Sequence, residues 1–221
     1  MKSDKSKEKT MNKRGKVLIV SGSAGSGKST VLTPFKSGAI TPFTFSVSAT
    51  TRQPRPGEVD GRDYLFVTKE RFEEMIENSE LIEHTVFNGN YYGTPKAPLI
   101  KQIEEGKVVI LEIEVDGAEQ IMGLFDKSDL VSIFLSPPDY KTLEARLRGR
   151  GTNTEADILE RLERAKVELE FSRLYSNILI NYDGRATDVT DAIIKVVNGE
   201  AVDSLDIYCK STDVLLEKFY E

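Results

Sequence analysis

An α/β fold is expected: a P-loop parallel sheet flanked by helices, with an inserted small mixed or antiparallel β lobe and a helical lid. Three observations predict it. Short, unbroken apolar runs recur at wide intervals, as strands buried on both faces of a parallel sheet do. A helical stripe fills the space between two of them. One glycine-rich segment, Gly22 to Ser29, joins the first run to a helix-forming stretch.

The first strand is Lys16 to Ser21 (KVLIVS). The second is Lys107 to Ile113, the third Leu130 to Leu135, closed by Pro137 and Pro138, and the fourth Ile178 to Asn181. Between the last two, Ile158, Leu162, Ala165 and Leu169 form a 4-3-4 apolar stripe. Thr154 is its expected cap, with Asp157 three residues on. From about residue 43 to 93 the texture changes. Phe43 to Ser48, Asp63 to Val67 and Leu81 to Phe87 are short and of mixed polarity, and Asn88-Gly89 signals a tight turn into Tyr91 and Tyr92. A helix near 69–78 presents Phe72, Met75 and Ile76 on one face. This stretch reads as a small inserted lobe. The resulting division is a disordered tail at 1–14, a core of 15–47, 94–138 and 158–198, a lobe at 48–93, a lid at 139–157 and a C-terminal extension at 199–221. Val214, Leu215 and Phe219 of the extension are spaced to pack back on the core.

Composition narrows the function. The 221 residues suffice for one α/β core with small inserted lobes. No run approaches the ~18 apolar residues of a membrane span, and the Lys/Ser-rich start lacks the apolar core of a secretory signal, so a cytoplasmic address and no membrane partner are expected. One cysteine, Cys209, excludes a disulfide framework. Net charge is −6, which argues against nucleic acid as partner. Yet of twelve arginines, three fall between Arg52 and Arg62 and six between Arg146 and Arg173. An acidic chain that gathers arginine in two places suits small, highly charged anions.

Gly22, Ser23, Ala24, Gly25, Ser26, Gly27, Lys28 and Ser29 fit G-x-x-x-x-G-K-[ST], after a strand and before the helical stretch opened by Thr30. The glycines let backbone N–H groups surround phosphate oxygens, and the helix N-terminus adds positive potential. Lys28 supplies a charge for the β- and γ-phosphates, and Ser29 a hydroxyl for Mg²⁺. The plainer alternative is a flexible Gly/Ser loop. Arg52 and Arg55, in a Pro/Gly-punctuated loop, suit a phosphate dianion, with Tyr64 and Tyr92 as phenolic donors; the same residues read equally as a solvated basic loop. Glu112 and Glu114 lie two apart on a strand and so share one face, at the end where such sheets meet their ligands, and one or both are candidates to hold Mg²⁺ through water. Arg146 and Arg150 stand one helical turn apart, and Gly149 and Gly151 mark a flexible junction suited to a lid. His84 reads as a strand side chain without a chemical role. Arg148, Arg164 and Arg173 read as solvated helix arginines.

The stretch Ser46 to Tyr64 (SVSATTRQPRPGEVDGRDY) resembles the guanylate kinase family. The resemblance continues through Glu80 to Glu83, Gly89 to Thr94, Ile110 to Gly117 and Leu143 to Thr154, in order along most of residues 16 to 183. It implies phosphoryl transfer from Mg-ATP to GMP, and also dGMP, by charge neutralisation and positioning in a closed cleft. Small-molecule substrates and a monomer or simple homo-oligomer follow. By the resemblance, Arg52, Arg55, Tyr64 and Tyr92 hold the GMP phosphate, and Glu83 accepts from guanine N1–H and the 2-amino group. Ser48 and Thr94 face guanine O6, and Glu112 and Glu114 lie on the GMP side. Lys28, Arg146, Arg150 and Arg161 surround the transferring phosphoryl, and Asn181 lies beside adenine. The chain departs from the family pattern at Ser23 and Ala24, where Pro-Ser is usual, and at Glu114 and Asp116, where Asp and Gln are. Rival readings are a kinase for another nucleoside monophosphate, a non-catalytic guanylate-kinase-like module for phosphopeptides, and a regulatory GTPase. The intact P-loop and lid arginines argue against the module, and the absence of an Asn-Lys-x-Asp motif argues against the GTPase.

Overall fold

The computed structural model describes residues 14–149, 151, 154–202 and 206–220. The expected tail lies outside them except for Arg14, whose guanidinium is 3.4 Å from Asp129. In chain order the elements are β1 (Lys16–Ser21), α1 (Lys28–Lys36), β2 (Phe43–Phe45), β3 (Ala49–Thr50), β4 (Leu65–Phe66), α2 (Lys69–Glu77), β5 (Leu81–Phe87), β6 (Asn90–Pro95) and α3 (Lys96–Glu104). Then follow β7 (Val108–Glu112), α4 (Val115–Met122), β8 (Leu130–Ser136), α5 (Tyr140–Gly149), α6 (Glu155–Glu170), β9 (Asn177–Ile180), α7 (Ala186–Asn198), β10 (Tyr208–Cys209) and α8 (Thr212–Tyr220).

β1 is apolar on both faces and takes an interior place in the six-stranded sheet, whose order is β10-β9-β8-β1-β7-β2. Val17 and Ile19 enter the core beneath α3, α4, α5, α6 and α8. Leu18 and Val20 enter the opposite core with α1 and α7. Every pairing is parallel except β10 on β9. A second sheet, β4-β3-β6-β5, is the inserted lobe, with β3 and β4 parallel and the other pairs antiparallel. Phe72 and Met75 of α2 close its small core against Ala49.

Two expectations need correction. Phe43 to Phe45 belongs to the main sheet, parallel to β7, and the lobe's first strand is β3. Its three residues are half-buried, so local polarity could not reveal a long-range parallel partner. The extension contributes a strand as well as a helix. Leu215 and Phe219 are buried in the core, but Val214 turns outward at 37 % exposure. The cap on α6 forms as a reciprocal box: Thr154 accepts from the Asp157 N–H, and Asp157 accepts from the Thr154 N–H. α1 runs nine residues with Pro34 inside its last turn. Among the described residues no helix is long and apolar enough to cross a membrane.

Phe219 sits edge-on to Tyr140 at 5.9 Å and is 1 % exposed. Phe219→Ala is expected to cost about 3–5 kcal/mol in urea unfolding. A loss below about 1 kcal/mol would mean that α8 is not an integral part of the core.

Candidate active site

The chain leaves β1 at Ser21 and turns through Gly22 to Gly27 into α1. Gly27 caps α1 with φ of 92°, a left-handed value that a side chain resists. A Cβ there would also collide with the Asn181 amide. That amide donates from Nδ2 to the Ser26 carbonyl at 2.9 Å. Asn181, expected beside adenine, thus also braces the P-loop from the end of β9. Lys28 folds back over the loop, with Nζ donating to the carbonyls of Gly22 and Ser23. Ser23 and Ser26 bury hydroxyl oxygens that have no hydrogen-bond partner among the described residues. Ser29 and Thr30 are exposed on the first turn of α1. Beside the loop a cavity of about 390 Å³ is lined by Gly25, Gly27, Thr30, Arg146, Asn181 and Asp183, among others.

Arg146 stands on this side. Its Nη2 donates to Asp183 Oδ1 at 2.6 Å and to the Asn181 carbonyl at 2.8 Å, and Nη1 lies 3.3 Å from the Gly25 carbonyl. It therefore ties α5 to the P-loop. Arg150 lies outside the described residues. Arg161 is elsewhere, in a small recess with Phe87 and Asn88, so the described arginines do not converge on one point.

A second cavity, of about 230 Å³, opens between the lobe and the end of β7. Arg52, Arg55, Tyr64 and Tyr92 line it, together with Glu83, Ser48, Glu112 and Glu114. Glu58 organises the arginine pair. Its carboxylate accepts from Arg52 Nη2 at 2.9 Å and from the Arg55 backbone N–H at 2.7 Å. Both contacts hold the Glu58 carboxyl below its ordinary range, the Arg52 hydrogen bond most. Arg52 also lies over the Tyr64 ring at 5.3 Å. Burial raises the Tyr64 phenol above its ordinary value.

Glu83 is 3 % exposed. It faces Thr94 across the β5–β6 ladder, beside a register shift at the start of β5, the kind of bulge that re-aims a side chain. Thr94 Oγ1 donates to Glu83 Oε1 at 2.6 Å. Gly117, in the first turn of α4, leaves room for the carboxylate; a Cβ there would collide with Oε2. The helix N-terminus offers that oxygen favourable potential. Burial nonetheless pushes the Glu83 carboxyl up, against the hydrogen bond from Thr94. Gln120 of α4 holds β5 in place: it accepts from the His84 N–H at 3.2 Å and donates to the His84 carbonyl at 2.9 Å. The His84 residue is exposed.

Three placements differ from expectation. The Thr94 hydroxyl is engaged with Glu83 and positions it, so its proton is not aimed at a base. Glu114 is the N-cap of α4, past the end of β7, so it does not share a strand face with Glu112, although both line the cavity. Glu112 is paired with Lys36 at 2.9 Å. Glu58, Gly117, Gln120 and Glu168 were missed. Glu58 had a signal, an acid three residues after Arg55. Glu168 had one too, a carboxylate beside the apolar stripe of α6, and it is 5 % exposed.

The Glu83 shift has a stability consequence. Its folded pKa lies above the ordinary value of 4.5, so folding takes up a proton, and the group's contribution falls as pH rises through the folded value. Glu83→Gln keeps a Thr94 acceptor without the charge. Its stability relative to wild type should rise with pH from about 4.5 upward, as measured by urea unfolding across pH. A variant that loses ground as pH rises would contradict a raised Glu83.

The family model described as guanylate kinase matches residues 14–196. The chain is 42% identical over 192 residues to the guanylate kinase of Lactobacillus acidophilus, covering 87% of this chain and 92% of that protein. It is 46% identical over 171 residues to that of Streptococcus thermophilus, covering 77% and 81%. The crystal structure of guanylate kinase from Anaplasma phagocytophilum matches with a TM-score of 0.67 at 28% identity, covering 92% of this chain and 94% of that one. On the family match and the identity over most of its length, the chain belongs to the guanylate kinase family.

Proposed function

We propose that this chain transfers the γ-phosphoryl group of ATP to GMP, giving ADP and GDP. The observation that carries the reading is Glu83, a buried carboxylate in the lining of the same cavity as Arg52 and Arg55. Guanine presents two adjacent donors on its pairing edge, and a carboxylate accepts both. Adenine presents a bare N1 there and would strand the charge. Sites of this kind discriminate by about 10⁴-fold or more against a ligand that leaves them unpaired.

The donor lies on the P-loop side, with its phosphates on the loop amides and Lys28 and its base towards Asn181. Lys28 turns from the loop carbonyls to the β- and γ-phosphates when they arrive. Arg146, already anchored on the loop, neutralises charge along the phosphate chain, and Arg161 serves the acceptor side on closure. The acceptor is already an anionic phosphate near neutral pH, so no strong general base is needed. Rate then comes from alignment and charge neutralisation. The chemistry of the donor set fits magnesium. Ser29 offers an exposed hydroxyl at the start of α1, and among the described residues no group of three carboxylates, imidazoles or thiols forms a metal cage. Magnesium held by phosphate oxygens, a serine and water needs no such cage, and when bound it would neutralise those oxygens.

The reading is tested by ADP release from Mg-ATP with GMP, dGMP, AMP, CMP and UMP in turn. GMP is expected to exceed AMP by ~10³-fold or more in kcat/KM, and Lys28→Ala should abolish transfer to every acceptor. Equal rates across the panel would overturn the base assignment.

A further inference from the structure

Arg164, in the middle of α6, looks from its sequence like a solvated helix arginine, but it touches three separate parts of the molecule. Its Nε donates to Glu168 Oε1, one turn along the helix, at 2.7 Å. Its Nη2 lies 3.6 Å from Glu114 Oε2, at the N-cap of α4. Its Cζ lies 4.5 Å from the ring centroid of Phe87, the last residue of β5 in the lobe. A guanidinium can serve all three, because its N–H groups lie in one plane and leave the faces free for an aromatic ring. Burial raises the Glu168 carboxyl, and the Arg164 hydrogen bond opposes the rise.

Phe87 and Glu114 are walls of the acceptor cavity, one from the lobe and one from the core. Phe87 continues the contact inward. It meets Tyr92 edge-on at 6.4 Å, Tyr92 meets Tyr64 at 6.2 Å, and Tyr64 lies beneath Arg52. An aromatic chain thus runs from α6 to the arginine expected to hold the acceptor phosphate. Charge points the same way. The cavity is lined by four carboxylates, Glu58, Glu83, Glu112 and Glu114, against two guanidiniums, Arg52 and Arg55. A phosphate dianion would meet net negative charge were the walls not neutralised from behind. Lys36 does this for Glu112, and Arg164 does it for Glu114.

We infer that Arg164 is a positioning residue of the acceptor site, which sets the spacing and charge of its two walls, and so its affinity for the nucleoside monophosphate. This rests on the assignment of GMP to that cavity.

Steady-state kinetics of the full chain, with GMP and ATP varied separately, test it. Arg164→Met should raise the GMP KM about tenfold and leave the ATP KM within about twofold, with kcat little changed. Phe87→Leu, which leaves the Arg164–Glu168 pair intact, should raise the GMP KM about threefold. The double variant should fall short of the product of the two. Where Arg164→Met does not fold because Glu168 is stranded, Arg164→Lys retains a cation for Glu168 and should reproduce the Phe87→Leu effect. An unchanged GMP KM, or a parallel rise in both KM values with a lowered Tm, would overturn the inference. A fully multiplicative double variant would overturn it too. Wild-type activity is read first: a chain that ignores GMP refutes the acceptor assignment itself, whereas normal GMP use with indifferent Arg164 variants refutes only this role.

Discussion

A carboxylate taken out of water must find donors or give up its charge, and Glu83 governs the lobe through that requirement. Inside the protein it receives the hydroxyl and, more weakly, the backbone N–H of Thr94, and faces the positive end of α4. Much of the local architecture maintains this arrangement. The irregularity in β5 aims the side chain, Gly117 leaves the space, and Gln120 clips β5 to α4 through both polar groups of the His84 backbone. The clip also covers part of an edge strand. A carboxylate buried this deeply is suited to a ligand that brings further donors.

The P-loop side is stabilised differently. Its loop is shaped by backbone rather than by a buried charge, and is braced from behind by Asn181 and Arg146. The two sides share the sheet. β1 ends in the P-loop and the adjacent β7 ends at Glu112, so both candidate sites lie at the carboxyl ends of neighbouring parallel strands, where ligands of such sheets gather. The acidic cavity walls then require cations from other elements. Lys36 of α1 and Arg164 of α6 reach them, which couples the core wall of the cavity electrostatically to two of the core helices.

Much of this was legible in the residues. β1 was readable to its ends because strands buried on both faces are continuously apolar. The α6 cap was readable because Thr154 and Asp157 interact within one turn. The P-loop was readable because its glycines are required at fixed spacing. What escaped depends on distant partners. β2 is three half-buried residues whose place follows from β7, over sixty residues later. Glu114 looked like a strand residue because nothing local marks where β7 stops. Thr94 was expected to face a base, and only the β5–β6 register shows that its hydroxyl meets Glu83 first. Arg164 has ordinary i,i+4 spacing to Glu168, and its contacts with Phe87 and Glu114 exist only in three dimensions.

The central claim is that Glu83 is completed by the two donors of guanine, and the 2-amino group isolates one of them. Calorimetric affinities of GMP and IMP, which differ only in that group, should be measured for wild type and Glu83→Gln. The account predicts that wild type prefers GMP by about 10- to 100-fold, the worth of a hydrogen bond to a charged group, and that the preference largely collapses in the variant. An equal preference in both proteins would contradict it.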